Sequence, residues 1–203
     1  MVARSTVSRL TVGVLAVLCA CSRFESKKSD SAAATSTTVA RPHADSGAAA
    51  SAADTAITVT ATGYGPLRIG MTVAAAASAL GSPAPSTVGL DTACAYVHFD
   101  AAPPGMRIMV TGGTVARIEV DSSAIPTGLG ARVGDSEARI KALYGSRVSV
   151  EPHKYLPNGH YLIVSPVPPT DSNFRLIFET DGNRVTSYRA GRLPQVRWVE
   201  GCA

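Results

Sequence analysis

The chain has 203 residues, 45% of them hydrophobic and only 5% aromatic, which allows one domain, or two small ones, with a sizeable core. Its net charge is +4, and loss of Arg4 and Arg9 with an N-terminal segment would leave +4 − 2 = +2. So mild an excess excludes a surface built to neutralise the phosphates of nucleic acid.

Arg4 and Arg9 precede an apolar run over residues 10–18, shorter than the roughly 20 residues that a membrane span needs but suited to the core of a secretory signal. The run ends in Leu18-Cys19-Ala20-Cys21, which resembles the bacterial lipoprotein box. Cys19 departs from that box at its middle position, where a small residue is usual. A cut before Cys19 would place bulky Leu18 beside the scissile bond, so Cys21 is the expected lipidation site and residues 1–20 the expected signal peptide. The resemblance implies a palmitate-bearing membrane anchor at Cys21. Because Ser22 rather than an aspartate follows, it also implies the periplasmic face of the outer membrane. Several acyl chains on one residue hold a protein far more firmly than one.

Residues 21–55 follow as a Ser/Ala/Thr-rich stretch without periodic large apolar side chains. Such a segment cannot bury enough surface to offset its ordering entropy and reads as a disordered tether to a globular domain over residues 56–203. Two further cysteines, Cys94 and Cys202, lie in that domain, and no histidine stands at ligand spacing from either. In an oxidising compartment they are expected to form a disulfide.

Within the domain the stretch 65–81 and the stretch 128–145 share a grammar. Arg68-Ile69-Gly70 matches Arg132-Val133-Gly134, Thr72 matches Ser136, and Gly81 and Gly145 close both. Thr72 and Ser136 are placed to cap a first helical turn, Glu137 to complement the helix dipole, and each glycine to end its helix in a left-handed conformation. Ile140, Leu143 and Tyr144 form an apolar stripe at helical spacing, and Val73, Ala76, Ala77 and Leu80 form a smaller one.

After each helix the period changes to two. Strands are expected over residues 94–99, 106–110 and 115–120, then 148–150, 161–164, 174–178 and 185–188. Gly112-Gly113, Asn158-Gly159 and Asp181-Gly182 supply the turns. The fold class is therefore α+β, a tandem duplicated unit of a short helix followed by an antiparallel three- to four-stranded meander, with repeats at about 60–125 and 126–200.

The phrase Leu67-Arg-Ile-Gly-Met-Thr72, the Leu80-Gly81 ending and their second-copy partners resemble small bacterial envelope proteins of the SmpA/BamE type. The tandem form resembles the β-lactamase inhibitory protein architecture. That likeness implies a protein that assists outer-membrane assembly or inhibits an enzyme by presenting a sheet. The match covers roughly residues 60 to 190 and ends at the helix termini, so no binding residue transfers.

Enzymatic patterns are weak. His43 falls in the tether and His98 in a strand, while His153 and His160 flank the Asn158-Gly159 turn with only Glu151 beside them as a further ligand. Ser136 lacks a Gly-x-Ser-x-Gly elbow and serves better as a cap, and the glycines at 128–134 lack the Lys-Ser/Thr ending of a phosphate loop. No catalytic residue, metal or cofactor is assigned. The C-terminal third instead concentrates Arg175, Arg184, Arg189, Arg192 and Arg197 near Tyr188 and Trp198. Arginine and large aromatics suit a sheet face that grips another protein, so Arg175, Arg189, Arg197, Tyr188 and Trp198 are the candidate partner-binding residues. The expectation is a lipid-anchored, non-catalytic periplasmic module with a protein partner in the cell envelope. An immunity lipoprotein against a secreted toxin, a binder of carbohydrate or lipid headgroups and a cryptic periplasmic hydrolase are its alternatives.

Overall fold

A computed structural model describes residues 57–167 and 172–202, all within one unit, Ala50–Ala203. The signal segment, Cys21 and the tether lie outside the described residues. The chain begins with three two-residue strands, β1 (Val59–Thr60), β2 (Gly63–Tyr64) and β3 (Leu67–Arg68), paired antiparallel in that order. Sequence periodicity does not anticipate them, because a two-residue strand is too short to show alternation. Helix α1 (Val73–Leu80) leads to β4 (Ala95–Val97), β5 (Met106–Thr111) and β6 (Thr114–Val120). Helix α2 (Glu137–Tyr144) leads to β7 (Val148–Pro152), β8 (His160–Val164), β9 (Phe174–Thr180) and β10 (Val185–Arg192).

The last seven strands form one antiparallel sheet in the order β4-β5-β6-β10-β9-β8-β7. Two meanders thus meet through their final strands, with Val120 opposite Tyr188, Glu119 opposite Arg189, Ile118 opposite Ala190 and Arg117 opposite Gly191. The expected α+β class, mostly antiparallel with few helices, is what the chain adopts.

Both helices start as their sequences direct. The Thr72 hydroxyl accepts from the Ala75 amide, and the Ser136 hydroxyl from that of Arg139, each at 3.2 Å. They end differently. Gly81 takes the expected left-handed conformation (φ 67°, ψ 30°), whereas Gly145 (φ 58°, ψ −137°) lies outside it and opens a 3₁₀ turn, Gly145–Arg147, that runs directly into β7. Gly112 and Gly113 both have positive φ, 55° and 76°, and make the two-residue hairpin between β5 and β6. Asn158-Gly159 does not make its own tight turn. The β7–β8 loop spans residues 153–159, closed by the His153 amide donating to the Gly159 carbonyl at 2.9 Å.

The helices cover one face of the sheet. Ala76 and Ala77 of α1 and Ile140 and Tyr144 of α2 join Ile108, Ile118, Leu162 and Phe178 in one core. Each large aliphatic or aromatic side chain buried there contributes on the order of 1.5–3 kcal/mol. At its centre the rings of Tyr144, Phe178 and Tyr188 form a chain of contacts with centroids 5.6 Å apart. The two phenols keep their hydroxyls satisfied, Tyr144 on Thr127 at 2.8 Å and Tyr188 on the Ile125 carbonyl at 2.9 Å.

Each helix is also hooked to the last strand of its own meander. Gly70 N–H donates to Val115 O (2.7 Å) and Val115 N–H to Met71 O (2.8 Å), while Gly134 N–H donates to Val185 O (2.8 Å) and Val185 N–H to Asp135 O (2.9 Å). Cys94, just before β4, and Cys202, at the end of the chain, are joined with their Cα atoms 5.4 Å apart.

Glu137 does more than face a helix dipole. Its Oε1 accepts from Thr180 Oγ1 at 2.6 Å and pairs with His160 Nδ1 at 2.7 Å, and its Oε2 pairs with Lys141 at 3.2 Å, so one carboxylate ties α2 to β8 and β9. Burial by itself would raise its pKa, but the bonds from Thr180, His160 and Lys141 outweigh that and hold the carboxyl below its ordinary 4.5. A group that binds its proton less readily when folded stabilises the fold above its unfolded pKa, and this contribution drains away as pH falls through the folded value. Glu137→Gln should therefore lower the urea midpoint at about pH 6, with parent and variant converging towards about pH 3.

Candidate binding face

The sheet's second face carries the charged chemistry. Alternation along β6 sends Ile118 and Val120 into the core and Arg117 and Glu119 to the opposite side. Strand pairing then sets Arg107 of β5 and Arg189 of β10 on either side of Glu119. The Glu119 carboxylate accepts from the Tyr96 hydroxyl, from the Arg117 guanidinium and, at 2.5 Å, from Arg107 Nη2. The Arg117 and Glu119 side chains are only 4% and 9% exposed, so this is a buried ion pair. Burial pulls the Arg117 pKa down against the opposing pull of Glu119. Burial, then the bond to Glu119, pushes the Tyr96 phenol up to about 12.

A second group sits beside the first. The Arg189 guanidinium pairs with Glu179, donates through Nε to the Val196 carbonyl at 2.7 Å and lies 5.5 Å from the centre of the Tyr161 ring. His153 stacks on Tyr161 with centroids 4.6 Å apart and places Nε2 3.7 Å from Glu179. Its Nδ1 accepts from the amides of Tyr155 and Leu156 at 3.1 and 3.2 Å, which leaves the neutral ring's proton on Nε2, towards Glu179.

Residues 193–202 lie over both groups. After β10 the chain turns through a cis Leu193-Pro194 bond into a 3₁₀ turn, Gln195–Arg197. Val196 is fully buried among Tyr161, Ile163 and Ile177, with Leu193 and Val199 packed beside it. Arg117 Nη1 reaches up to the carbonyls of Gln195 and Trp198 at 3.1 and 2.5 Å. Gly191 makes room for the backbone of β6 opposite it, since a Cβ there would stand 2.5 Å from the Ala116 carbonyl oxygen and 3.0 Å from the Arg117 Cα. Two small cavities, about 110 and 100 Å³, open beside Val199.

Of the five candidate partner-binding residues, two are not on a surface. Tyr188 is 1% exposed and belongs to the helix-side core; Arg189 is 5% exposed beneath the C-terminal segment. They are adjacent in sequence and face opposite sides of a strand covered on both, so neither has a surface to offer. Arg175 is folded back on its own loop and donates to the carbonyls of Ser172 and Phe174. Arg197 and Trp198 do stand at an exposed rim. Arg197 pairs with Glu151 at 2.6 Å, and Trp198 is 37% exposed. Lys154 joins the same rim, paired with Glu200 at 2.7 Å and 5.1 Å from the centre of the half-exposed Tyr155 ring.

His153 and His160 do not meet across their hairpin: one pairs with Glu179 and the other with Glu137. Among the described residues no group of three or more His, Cys, Asp or Glu side chains is placed to hold a metal ion. Sequence reasoning missed Arg107, Arg117, Glu119 and Glu179. The alternation of Arg117 and Glu119 within β6 was a usable signal, but the pairing of β6 with β10 had none.

A separate cleft of about 390 Å³ lies on the other side of the protein's core, lined by Val59, Leu129, Tyr144, Val164, Val167 and Leu176 among others. Arg147 borders it with its guanidinium 5.3 Å from the centre of the Tyr144 ring, and forms no ion pair among the described residues.

No protein-family model matches the chain. No curated protein matches it either. Among solved structures it is similar to the uncharacterized protein yfeY from Escherichia coli, at 16% identity and a TM-score of 0.41, over 66% of this chain and 99% of that one. A likeness of that size carries no functional argument.

The two arginines that look alike in sequence should behave differently. Arg189→Ala leaves Glu179 without its buried partner and should cost about 3–5 kcal/mol. Arg197→Ala breaks an exposed pair and should cost about 0–1 kcal/mol. Urea denaturation of the two variants measures both.

Proposed function

We propose that this chain is a lipid-anchored periplasmic module that binds a protein of the cell envelope and catalyses no reaction, acting in envelope assembly or as an inhibitor. The observation that carries this reading is the set of exposed side chains Trp198, Arg197 and Tyr155, with Arg197 paired to Glu151 and Lys154, against the Tyr155 ring, paired to Glu200. Tryptophan, tyrosine and arginine concentrate binding energy at protein interfaces because they cover area and form forked hydrogen bonds.

The anchor at Cys21 and the tether over residues 21–55 complete this reading, as does the tandem duplication. The duplication is supported by the paired hooks of Gly70 and Gly134 onto Val115 and Val185. It is supported as well by matching irregularities in the last strands. Residue 116 stands unpaired between Val115 and Arg117, and residue 186 between Val185 and Ser187. Equivalent bulges at equivalent places are the kind of feature that copies of one unit retain. The resemblance to SmpA/BamE-type proteins belongs to the same proposal.

Cross-linking the tethered protein in its own envelope tests the binding role. Capture of one defined partner should fall at least tenfold in the Arg197→Ala/Trp198→Ala double variant and persist in Arg139→Ala, on α2. Equal capture by both would sink the rim as the binding site. In the same cells, Cys21→Ser should abolish incorporation of labelled fatty acid.

A second reading, capture of an anionic amphiphile such as a lipid, is favoured by one observation: an apolar cleft with an arginine at its border that has no ion-pair partner among the described residues. Dodecanoate should then raise the melting temperature of the parent and not of Arg147→Glu, while dodecyltrimethylammonium should raise neither.

A further inference from the structure

The face beneath residues 193–202 has the make-up of a docking groove for a peptide turn, and a segment of this chain is seated in it. The groove supplies an apolar hole, formed by Tyr161, Ile163 and Ile177, that takes the single β-branched side chain of Val196. It also supplies two fixed guanidinium groups aimed at main-chain oxygens, Arg117 at Gln195 and Trp198, and Arg189 at Val196. None of the three carbonyl contacts reads a side chain. A segment of another protein that takes the same 3₁₀ turn, with a valine or isoleucine in the place of Val196, would meet the same partners.

Three features mark the seated segment as poised rather than simply built in. Its docking takes Arg117, Glu119 and Arg189 out of water, a cost that ion pairing repays only with complete hydrogen bonding. That bonding is incomplete: Arg117 Nε and Gln195 Oε1 are buried with no hydrogen-bond partner among the described residues. And the far side of the segment is held by a covalent bond, Cys94–Cys202, across a sequence separation of 108 residues. Both cysteines are partly exposed, so an incoming thiolate can reach them.

We propose that residues 193–202 form a disulfide-held strap over a peptide-docking groove, released when Cys94–Cys202 is reduced and replaced by a partner segment that takes the same single 3₁₀ turn and places a β-branched side chain in the Val196 hole. The reductant is a dithiol. One of its thiolates attacks a sulfur of the bond, giving a mixed disulfide and one free cysteine thiolate, which takes up a proton. Its second thiol, as thiolate, then displaces the remaining cysteine. Two electrons pass to the protein, Cys94 and Cys202 end as thiols, and the reductant ends as its cyclic disulfide. The proposal rests on the reading of this protein as a protein-binding module and names the control of its sheet face.

Hydrogen exchange on the full chain, oxidised and after dithiothreitol, tests the strap. Reduction should speed exchange in residues 193–202 by at least about tenfold while β6, β9 and β10 keep their protection. Emission from Trp198, the chain's single tryptophan, should shift to the red. The groove is tested with a labelled peptide of residues 192–203 carrying Cys202→Ser. Its receptor is the Cys94→Ser/Cys202→Ser chain with Val196→Asp, which cannot reseat its own strap, with circular dichroism confirming the fold. The peptide should bind this receptor and fail to bind the oxidised parent, and the same peptide with Val196→Asp should bind neither. Unchanged protection of 193–202 after reduction would overturn the strap. A freed strap with no peptide binding would overturn the groove. Failure of partner capture at the Arg197/Trp198 rim is a separate outcome, since the exchange and peptide readouts do not depend on it.

Discussion

The antiparallel pairing of β6 with β10 is the contact on which the rest of this structure depends. It joins the two meanders into one seven-stranded sheet and decides what each side of that sheet holds. On one side it sets Ile118 against Ala190 and Val120 against Tyr188, which gives the helices a continuous apolar floor. On the other it sets Glu119 against Arg189 and Arg117 against Gly191, which gathers buried charge at the centre of the sheet. A slip of one residue would exchange those two sets and put the ion pairs under the helices.

Charge at a sheet centre has to be covered or solvated, and here it is covered by the chain's own end. The carbonyls of residues 195, 196 and 198 meet the guanidinium hydrogens left over after Arg117 and Arg189 have paired with glutamates. A glycine stands at position 191, near the end of the central strand β10, where a glycine ordinarily weakens the sheet. A Cβ there would stand 2.5 Å from the Ala116 carbonyl oxygen, so the glycine lets β10 pass close to the backbone of β6. Burial, and then the bond its hydroxyl donates to the Glu119 carboxylate, push the Tyr96 phenol up to about 12.

The helix-side core and the charged face are legible in the sequence to different degrees. Thr72, Ser136, Ile140, Tyr144 and the Gly112-Gly113 turn act locally, through hydrogen bonds and spacings within a few residues, and the structure places each as its neighbours in sequence direct. The arginines are another matter. Arg189 and Arg197 look interchangeable as letters, yet one is buried over Tyr161 and the other stands at a solvated rim. Alternation reveals that Tyr188 and Arg189 point to opposite sides of β10. It does not reveal that both sides are covered, because what covers the second side is a segment that returns only after the strand has ended.

By itself, the sequence determined the starts of both helices, the seven strands of the large sheet, the Gly112-Gly113 hairpin and the two cysteines suited to a bond. It could do so because caps and turns are set by hydrogen bonds and backbone preferences of near neighbours, and because the period of the apolar residues marks which face an element will bury. Only the tertiary structure decided that the last strands of the two meanders pair, that Arg117, Glu119, Glu179 and Arg189 share one buried face, and that residues 193–202 lie across it. Those are contacts between distant parts of the chain. No local spacing encodes them; the sheet assembles them by burying one apolar face and leaving the charges of the other to find partners where the strands happen to bring them.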